Sequence, residues 1–419
     1  MQVVFIPSGL KIDVFLYPMK IGLLREEKIP RDKRVPFTPV QCKFMMEEHE
    51  GLQIIVQPSD FRCYTNEEYR KHGILLQEDL SDCDVLMGVK EVPKDKLIPG
   101  KKYLFFSHTI KKQPHNRNLL QAIIEKKVQL IDYECLIDEA GHRVIGFGRY
   151  AGLVGAYNGI MAYGFKYGLF ELKSAHLCHD KKEITKELER INLPNLKIVV
   201  TGGGRVANGA LEILGVLGLR KVTAYEFLHY SFREPVYVQL HSEDYYKTKD
   251  GTVFSNHEFY HHPEKFDCTF AAGNSYASFC DLLIHCTFWD PKAPVLFTKE
   301  QMRDPKFHIS VIADVTCDIN GSIPSTTRPS TIEDKFYGYN PNTERIEEPF
   351  GPSTITVMAI DNLPCELPRD ASEGFGKHLM ERVIPYLVNK DDGLIDRATI
   401  AKDGKLMQRF EYLSDYIAG

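Results

Sequence analysis

The sequence contains no apolar run long enough to cross a bilayer, no CxxC pair and no block of like charges. The first absence argues against a membrane-spanning chain, which needs about 20 consecutive apolar residues. Ten cysteines are scattered without the clustering of secreted domains. That usage suits free or buried thiols in a reducing compartment, so the cytoplasm is the expected location. Lysines and arginines are interspersed with acids and the net charge is −5, which argues against a nucleic-acid partner. The N-terminal stretch MQVVFIPSGLKIDVFLYPMK lacks the basic leader, continuous apolar core and small-residue cleavage site of a signal peptide. Met19 is a second candidate start, and residues 1 to 18 read as an extension or an added strand. Internal repeats and low-complexity tracts are also missing.

What is present is an ordinary globular composition, 43% hydrophobic and 26% charged, on 419 residues. That length favours two domains in a soluble chain. From 19 to about 146, strand-like runs (IGLL, LQIIVQP, DVLMGVK, KYLFFSH, VQLIDYE) alternate with helical ones (TPVQCKFMMEEHE, NRNLLQAIIEKK). Such alternation predicts a parallel α/β sheet. A Gly/Ala/Tyr-rich stretch from Gly148 to Phe170 predicts an interdomain helix whose small residues permit close packing. A charged surface helix and linker follow over 171–194. A second α/β pattern starts at Lys197, with strands expected at KIVVTG, KVTAYE, LLIHCTF and ISVIADVT and a turn-rich region through about 352. The expected fold class is therefore α/β, with two Rossmann-like lobes of mostly parallel sheet and an active-site cleft between them. The boundaries expected are 1–146 rejoined by 371–419 for a substrate lobe, and 147–370 for a dinucleotide-binding lobe.

The stretch VVTGGGRVANGA carries G-x-G-x-x-A as Gly202, Gly204 and Ala207, after a strand and before a helix. Gly202 permits the tight turn, Gly204 lets the backbone approach a pyrophosphate, and Ala207 lets the helix pack against the strand. Gly203, Arg205 and Val206 complete the loop. Unpaired N–H groups at the helix start would receive the phosphates. Glu226 closes the next apolar run, where an acid would accept hydrogen bonds from the adenosine ribose and repel a 2′-phosphate. NAD is therefore the expected cofactor, with NADP as the alternative because His229 or Arg233 could receive the extra phosphate. A purely structural glycine turn is the plainer reading.

In the first lobe, Lys90 (VLMGVKEVP), His108 (LFFSHTIKK) and Glu134 (QLIDYECL) follow apolar strands, where α/β folds place ligands. A lysine or histidine there can exchange protons during hydride chemistry if burial or a neighbouring charge moves its pKa toward neutrality. The plainer readings are a solvent-exposed lysine and a structural histidine, and Arg34 reads as one more loop cation. The HLCH cluster at His176 to His179 has no matching ligand pair, so no metal site is expected.

Taken in order, KRVPFTP, GVKEVP, FFSHTIKK, LIDYECL, HRVIGFGRYAGLVG, TGGGRVANGA and MAIDNLPCELPRDAS resemble the alanine dehydrogenase/saccharopine dehydrogenase superfamily. The segments ILLQEDLSDCDVLMGVKEVP, KKYLFFSHTIKKQ and DVTCDINGSIPSTTRPSTIEDKFYGY are similar to the lysine–2-oxoglutarate reductase branch. The resemblance covers about 19 to 390. It implies an NAD(P)-dependent interconversion of saccharopine with L-lysine and 2-oxoglutarate, with Lys90 and His108 as the acid/base pair. It further implies substrate carboxylates bound by Arg34 and Lys111, with Arg143 near Glu134 or a carboxylate and Glu134 tuning the lysine and histidine. Phe147 would line the substrate cavity and Asp361 would lie beside the nicotinamide. Val206 stands where fungal lysine-forming enzymes have a cysteine, so no redox switch is expected there. The sequence shows no glutamate-forming domain after residue 419, so in degradation another polypeptide would carry the next step. The expected partners are those small molecules, with a homo-oligomer as a further option and neither nucleic acid nor membrane. The rival readings are an alanine dehydrogenase-like enzyme, which would need fewer cations than Arg34, Lys111 and Arg143 supply, and a catalytically silent NAD(P)-binding regulator.

Overall fold

The computed structural model describes residues 19–389 and 391–419, so the readings made for residues 1 to 18 lie outside the described residues. The chain divides into two compact units, one comprising the residues up to Gly146 together with Ala371–Gly419, the other Phe147–Asp370.

Each unit is built on an eight-stranded sheet, so the α/β class with two Rossmann-like lobes holds. Across the first sheet the strands run Lys405–Leu406, Thr399–Lys402, Gln129–Asp132, Lys102–Phe105, Val85–Met87, Met19–Leu23, Leu52–Val56 and Leu75–Leu76. The six drawn from the N-terminal segment are mutually parallel; Thr399–Lys402 joins Gln129–Asp132 antiparallel. The central strands read as continuous apolar runs because both faces are covered: Ile21, Val85, Leu86, Met87, Leu104 and Ile131 are fully buried. The first helix, Pro39–Glu48, starts at Thr38. The Thr38 hydroxyl accepts the Gln41 N–H at 3.2 Å and the Gln41 side chain accepts the Thr38 N–H at 3.0 Å.

The second sheet has the order Arg345–Glu347, Tyr337–Asn340, Ile355–Met358, Val311–Asp314, Leu282–His285, Lys197–Thr201, Val236–Leu240 and Arg220–Lys221. The first two of these form an antiparallel hairpin on one edge, within the region expected to be turn-rich; the rest are parallel. One expected element is corrected. KVTAYE is not a strand: only Arg220–Lys221 pair at the edge, and Ala224–His229 is a short helix. Thr223 and Glu226 are spaced for reciprocal capping, and that local chemistry overrides the β-branched character of the run. The strand beside the glycine-loop strand is Val236–Leu240, whose alternating burial marks it as a ladder member.

The glycine-rich helix is observed as Gly148–Tyr167, with fourteen of its residues buried within the second unit. It lies against helix Arg205–Val216 at backbone contact distance. A Cβ on Gly152 would stand 1.7 Å from the Val206 carbonyl oxygen, and one on Gly209 would stand 1.8 Å from that of Arg149. Among the described residues no helix is long and apolar enough to cross a membrane. All ten cysteines are free.

Candidate functional site

In the first unit, three loops leave the carboxyl ends of adjacent parallel strands, the edge on which open α/β sheets present their ligand-binding groups. Lys90 follows Val85–Met87 and is half-buried. Its backbone N–H donates to Glu26 Oε2 at 2.9 Å, and that of Val89 to Glu26 Oε1 at 2.6 Å. His108 follows Lys102–Phe105 in left-handed backbone, φ 52°, a conformation that costs on the order of 1 kcal/mol outside glycine and gathers at functional sites. Its Nδ1 lies 2.6 Å from Glu91 Oε1, and its ring stacks on Phe106 with centroids 6.3 Å apart. Glu91 also accepts from Lys28 Nζ at 2.6 Å. Burial alone would raise the Glu91 carboxyl, but the hydrogen bonds from His108 and Lys28 prevail and hold it down at about 2. An ionised Glu91 selects the Nδ1–H form of His108, leaving Nε2 as the nitrogen for proton exchange.

Glu134 follows the neighbouring strand, Gln129–Asp132, and gathers two cations. Its Oε1 lies 3.0 Å from an Arg143 guanidinium nitrogen and 3.3 Å from Lys111 Nζ. The glutamate side chain is 5% exposed and the cations about half exposed, 48% for Lys111 and 52% for Arg143. The two cations that meet this buried carboxylate keep about half of their surface facing water. The Glu134 Oε2 has no hydrogen-bond donor among the described residues. Beneath this group Asp132 accepts the backbone N–H of Ser107 at 3.0 Å and that of Glu134 at 2.7 Å, tying the two loops together. Burial pushes Asp132 up to about 6.

Arg34 lies on the loop after the first strand, within electrostatic reach of Glu26. Its guanidinium grips Asp32 in a two-point fork, at 3.0 Å through Nε and 2.6 Å through the terminal nitrogen, and both side chains are buried. The structure thus joins Lys111, Glu134 and Arg143, and Lys90 and His108 through Glu91 and the turn that carries it, while Arg34 is engaged by Asp32. Sequence reading gave no role to Glu26, Asp32, Glu91 or Asp132, although each lies in or beside a stretch it singled out. Glu26 could have been found by the rule that selected Lys90 and His108, since it too follows an apolar strand.

In the second unit the glycine loop leaves the strand Lys197–Thr201. Gly202 takes φ 92°, a turn that requires glycine, and its N–H reaches the Leu240 carbonyl at 2.7 Å. A Cβ on Gly203 would meet the His241 ring at 2.6 Å, whereas nothing lies within 4 Å of one on Gly204. Gly204 caps the 12-residue helix Arg205–Val216 without a side-chain hydrogen bond. At the helix start Arg205 is exposed, Val206 half-buried and Ala207 buried. This arrangement fits a dinucleotide pyrophosphate. The loop is braced from below: Thr201 Oγ1 lies 2.9 Å from His285 Nδ1, and Ser322 Oγ lies 2.9 Å from His285 Nε2. Burial lowers the His285 pKa, so the ring is neutral.

Glu226 lies on the short helix after the edge strand, where its carboxylate accepts the Thr223 N–H at 2.8 Å and hydroxyl at 2.9 Å. The residues flanking the loop on the adjacent strand are Gln239, whose amide donates to the Gly202 carbonyl at 3.0 Å, and His241. Asp361 is exposed beyond the carboxyl end of Ile355–Met358, and its charge acts on Cys317. Phe147 is the half-buried N-cap of the glycine-rich helix. His176 approaches the buried Glu366 at 3.8 Å, and among the described residues no group of His, Cys, Asp or Glu is arranged to hold a metal.

Two sheets of this topology, one with a glycine loop feeding a helix, define a dinucleotide-binding architecture. Residues 22–154 match the family "Alanine dehydrogenase/PNT, N-terminal domain". Alpha-aminoadipic semialdehyde synthase of Bos taurus, a mitochondrial protein, is 29% identical over 94% of this chain and 47% of its own length. The Mus musculus protein of that name is 28% identical with the same coverage. The chain thus spans about half the length of these relatives. The lysine-forming, NAD(+)-dependent saccharopine dehydrogenase of Emericella nidulans is 24% identical over 86% of this chain and 90% of its own. A solved L-alanine dehydrogenase shares the fold with a TM-score of 0.61 at 15% identity, covering 95% of this chain and 100% of that one. The chain is thus similar to alpha-aminoadipic semialdehyde synthases and saccharopine dehydrogenases over most of its length, and to the alanine dehydrogenase/PNT family over residues 22–154.

Proposed function

We propose that this chain is an NAD(P)-dependent oxidoreductase that interconverts saccharopine with L-lysine and 2-oxoglutarate. The observation that carries this reading is the pair of half-exposed cations, Lys111 and Arg143, on the single buried carboxylate of Glu134, one turn from His108. Two half-exposed cations side by side suit a substrate with several carboxylates better than a small monocarboxylic amino acid. The saccharopine dehydrogenase relatives support the reaction class. Arg34 is kept as a proposed substrate contact through whatever edge of its guanidinium Asp32 does not occupy, and Phe147 and Asp361 are kept as proposed substrate and cofactor contacts.

In the oxidative direction Lys90 takes the proton from the secondary amine of saccharopine as a hydride leaves the adjacent carbon. The bound nicotinamide supplies the hydride acceptor. His108, oriented by Glu91, passes protons through Nε2 as water adds to the imine and as the carbinolamine breaks to lysine and 2-oxoglutarate. The loop from Gly202 through Gly203 and Gly204 to Arg205, Val206 and Ala207 holds the pyrophosphate. Glu226 is proposed for the ribose, a contact that requires it to leave its cap. The compartment proposed is the cytoplasm, and fractionation decides between that and the mitochondrion named for the mouse and bovine relatives.

Lys90→Met tests the mechanism. The expected result is loss of kcat by two or more orders of magnitude with dinucleotide affinity retained, consistent with the roughly 100- to 10,000-fold worth of a positioned acid or base. An undiminished kcat would remove Lys90 from the chemistry.

A further inference from the structure

The parallel ladder between Met19–Leu23 and Val85–Met87 ends where the Leu24 N–H meets the Met87 carbonyl at 2.9 Å. The next amides that need an acceptor on that side, those of Val89 and Lys90, find a side chain instead of a strand. Each donates to a different oxygen of the Glu26 carboxylate, at 2.6 and 2.9 Å. The other side of the same turn stays in the sheet: the Gly88 N–H reaches the Leu104 carbonyl and the Val89 carbonyl accepts the Phe106 N–H, both at 3.0 Å. Phe106 lies two residues before His108 and stacks on its ring. The turn that Glu26 holds therefore carries Lys90 and is hydrogen bonded to the segment that carries His108. Gly88 makes the approach feasible, since a Cβ there would stand 3.2 Å from Glu26 Oε1.

We propose that Glu26 is a positioning residue whose carboxylate clamps the Gly88–Lys90 turn and so sets the placement of Lys90 and, through Phe106, of His108. The kinetic part of this inference rests on the reaction proposed above; the clamp itself does not. The ionised carboxyl accepts both amides as charge-assisted bonds, and protonation removes that charge and weakens the bond to the hydroxyl oxygen. Besides the Val89 and Lys90 amides, the charged and titratable groups acting on Glu26 include Asp32 and Arg34 from the loop after the first strand, and it faces Tyr133 from the loop after Gln129–Asp132. Burial first, then the Asp32 charge, raise Glu26 to about 8 against the opposing amides and Arg34. The clamp therefore strengthens as the carboxylate forms, with pH rising through about 8.

Two variants reach the same contact from opposite sides: Glu26→Gln removes the charge, and Gly88→Ala pushes on Oε1. Each is measured for kcat, for dinucleotide KM across pH, and for hydrogen exchange of the segment containing Val89 and Lys90. The expected result is faster exchange of those two amides and a kcat lowered by up to about 100-fold with dinucleotide KM unchanged. The wild-type rise in kcat through pH 8 should be missing in E26Q. Unchanged exchange in both variants would overturn the clamp. Faster exchange with an unaltered kcat and pH profile would overturn the positioning role. If the wild-type chain turned over no lysine, the proposed reaction would fail, while the exchange measurement would still decide the clamp.

Discussion

Glu91 holds His108 and Lys28 on one buried carboxylate, and its depressed pKa links that contact to stability. A carboxyl held down at about 2 in the folded chain, against an ordinary value of 4.5, contributes stability that is fully present above pH 4.5 and is lost as pH falls toward 2. Glu91→Gln is therefore expected to lower the melting temperature at pH 7 and to flatten the melting curve's dependence on pH below 4.5. Equal acid slopes for the two proteins would contradict the assignment. Glu226 offers a second test at this scale. Glutamine also serves at the third position of a capping box, so Glu226→Gln keeps the cap and removes only the charge. Under the proposed ribose contact, kcat/KM with NADPH rises relative to NADH. An unchanged ratio assigns Glu226 to the cap alone and moves the ribose end to Gln239 and His241.

At the scale of elements, the close approach of helices Gly148–Tyr167 and Arg205–Val216 depends on glycines. Gly152→Ala would place a methyl carbon inside the Val206 carbonyl contact. The expected cost is about 1–3 kcal/mol or more, read as a fall in urea midpoint. Gly215→Ala is the control on the same pair of helices: nothing lies within 4 Å of its Cβ position, so a gain of roughly 0.5–1 kcal/mol is expected. Equal effects of the two substitutions would show that helix approach is not limiting. Much at this scale was legible in the sequence. The apolar runs KIGLL, LQIIV, VLM, KYLF and QLID are strands because continuous burial on two faces selects such runs. Strand order was not legible, because pairing across the sheet is set by contacts distant in sequence. Thus Val236–Leu240, and not the run ending at Glu226, lies beside the glycine-loop strand. The strand-end position of Glu26 was legible, but what it and Asp132 hold was not, because those partners are backbone amides far along the chain that no local pattern announces.

At the scale of the whole molecule, one unit carries Lys90, His108 and two cations paired with Glu134, and the other carries the glycine loop that feeds helix Arg205–Val216. Each unit has its own eight-stranded sheet and its own polar group at strand carboxyl ends. The proposed hydride transfer requires the nicotinamide and the substrate carbon to be held close and in line. The most direct measurement follows reduced-nicotinamide absorbance with the purified chain, 2-oxoglutarate and NADH or NADPH, with L-lysine added last and pyruvate with ammonium as the control pair. The account predicts oxidation that begins only on adding lysine and yields saccharopine by mass. Oxidation with pyruvate and ammonium but none with lysine, or cofactor binding without turnover on either pair, would contradict it.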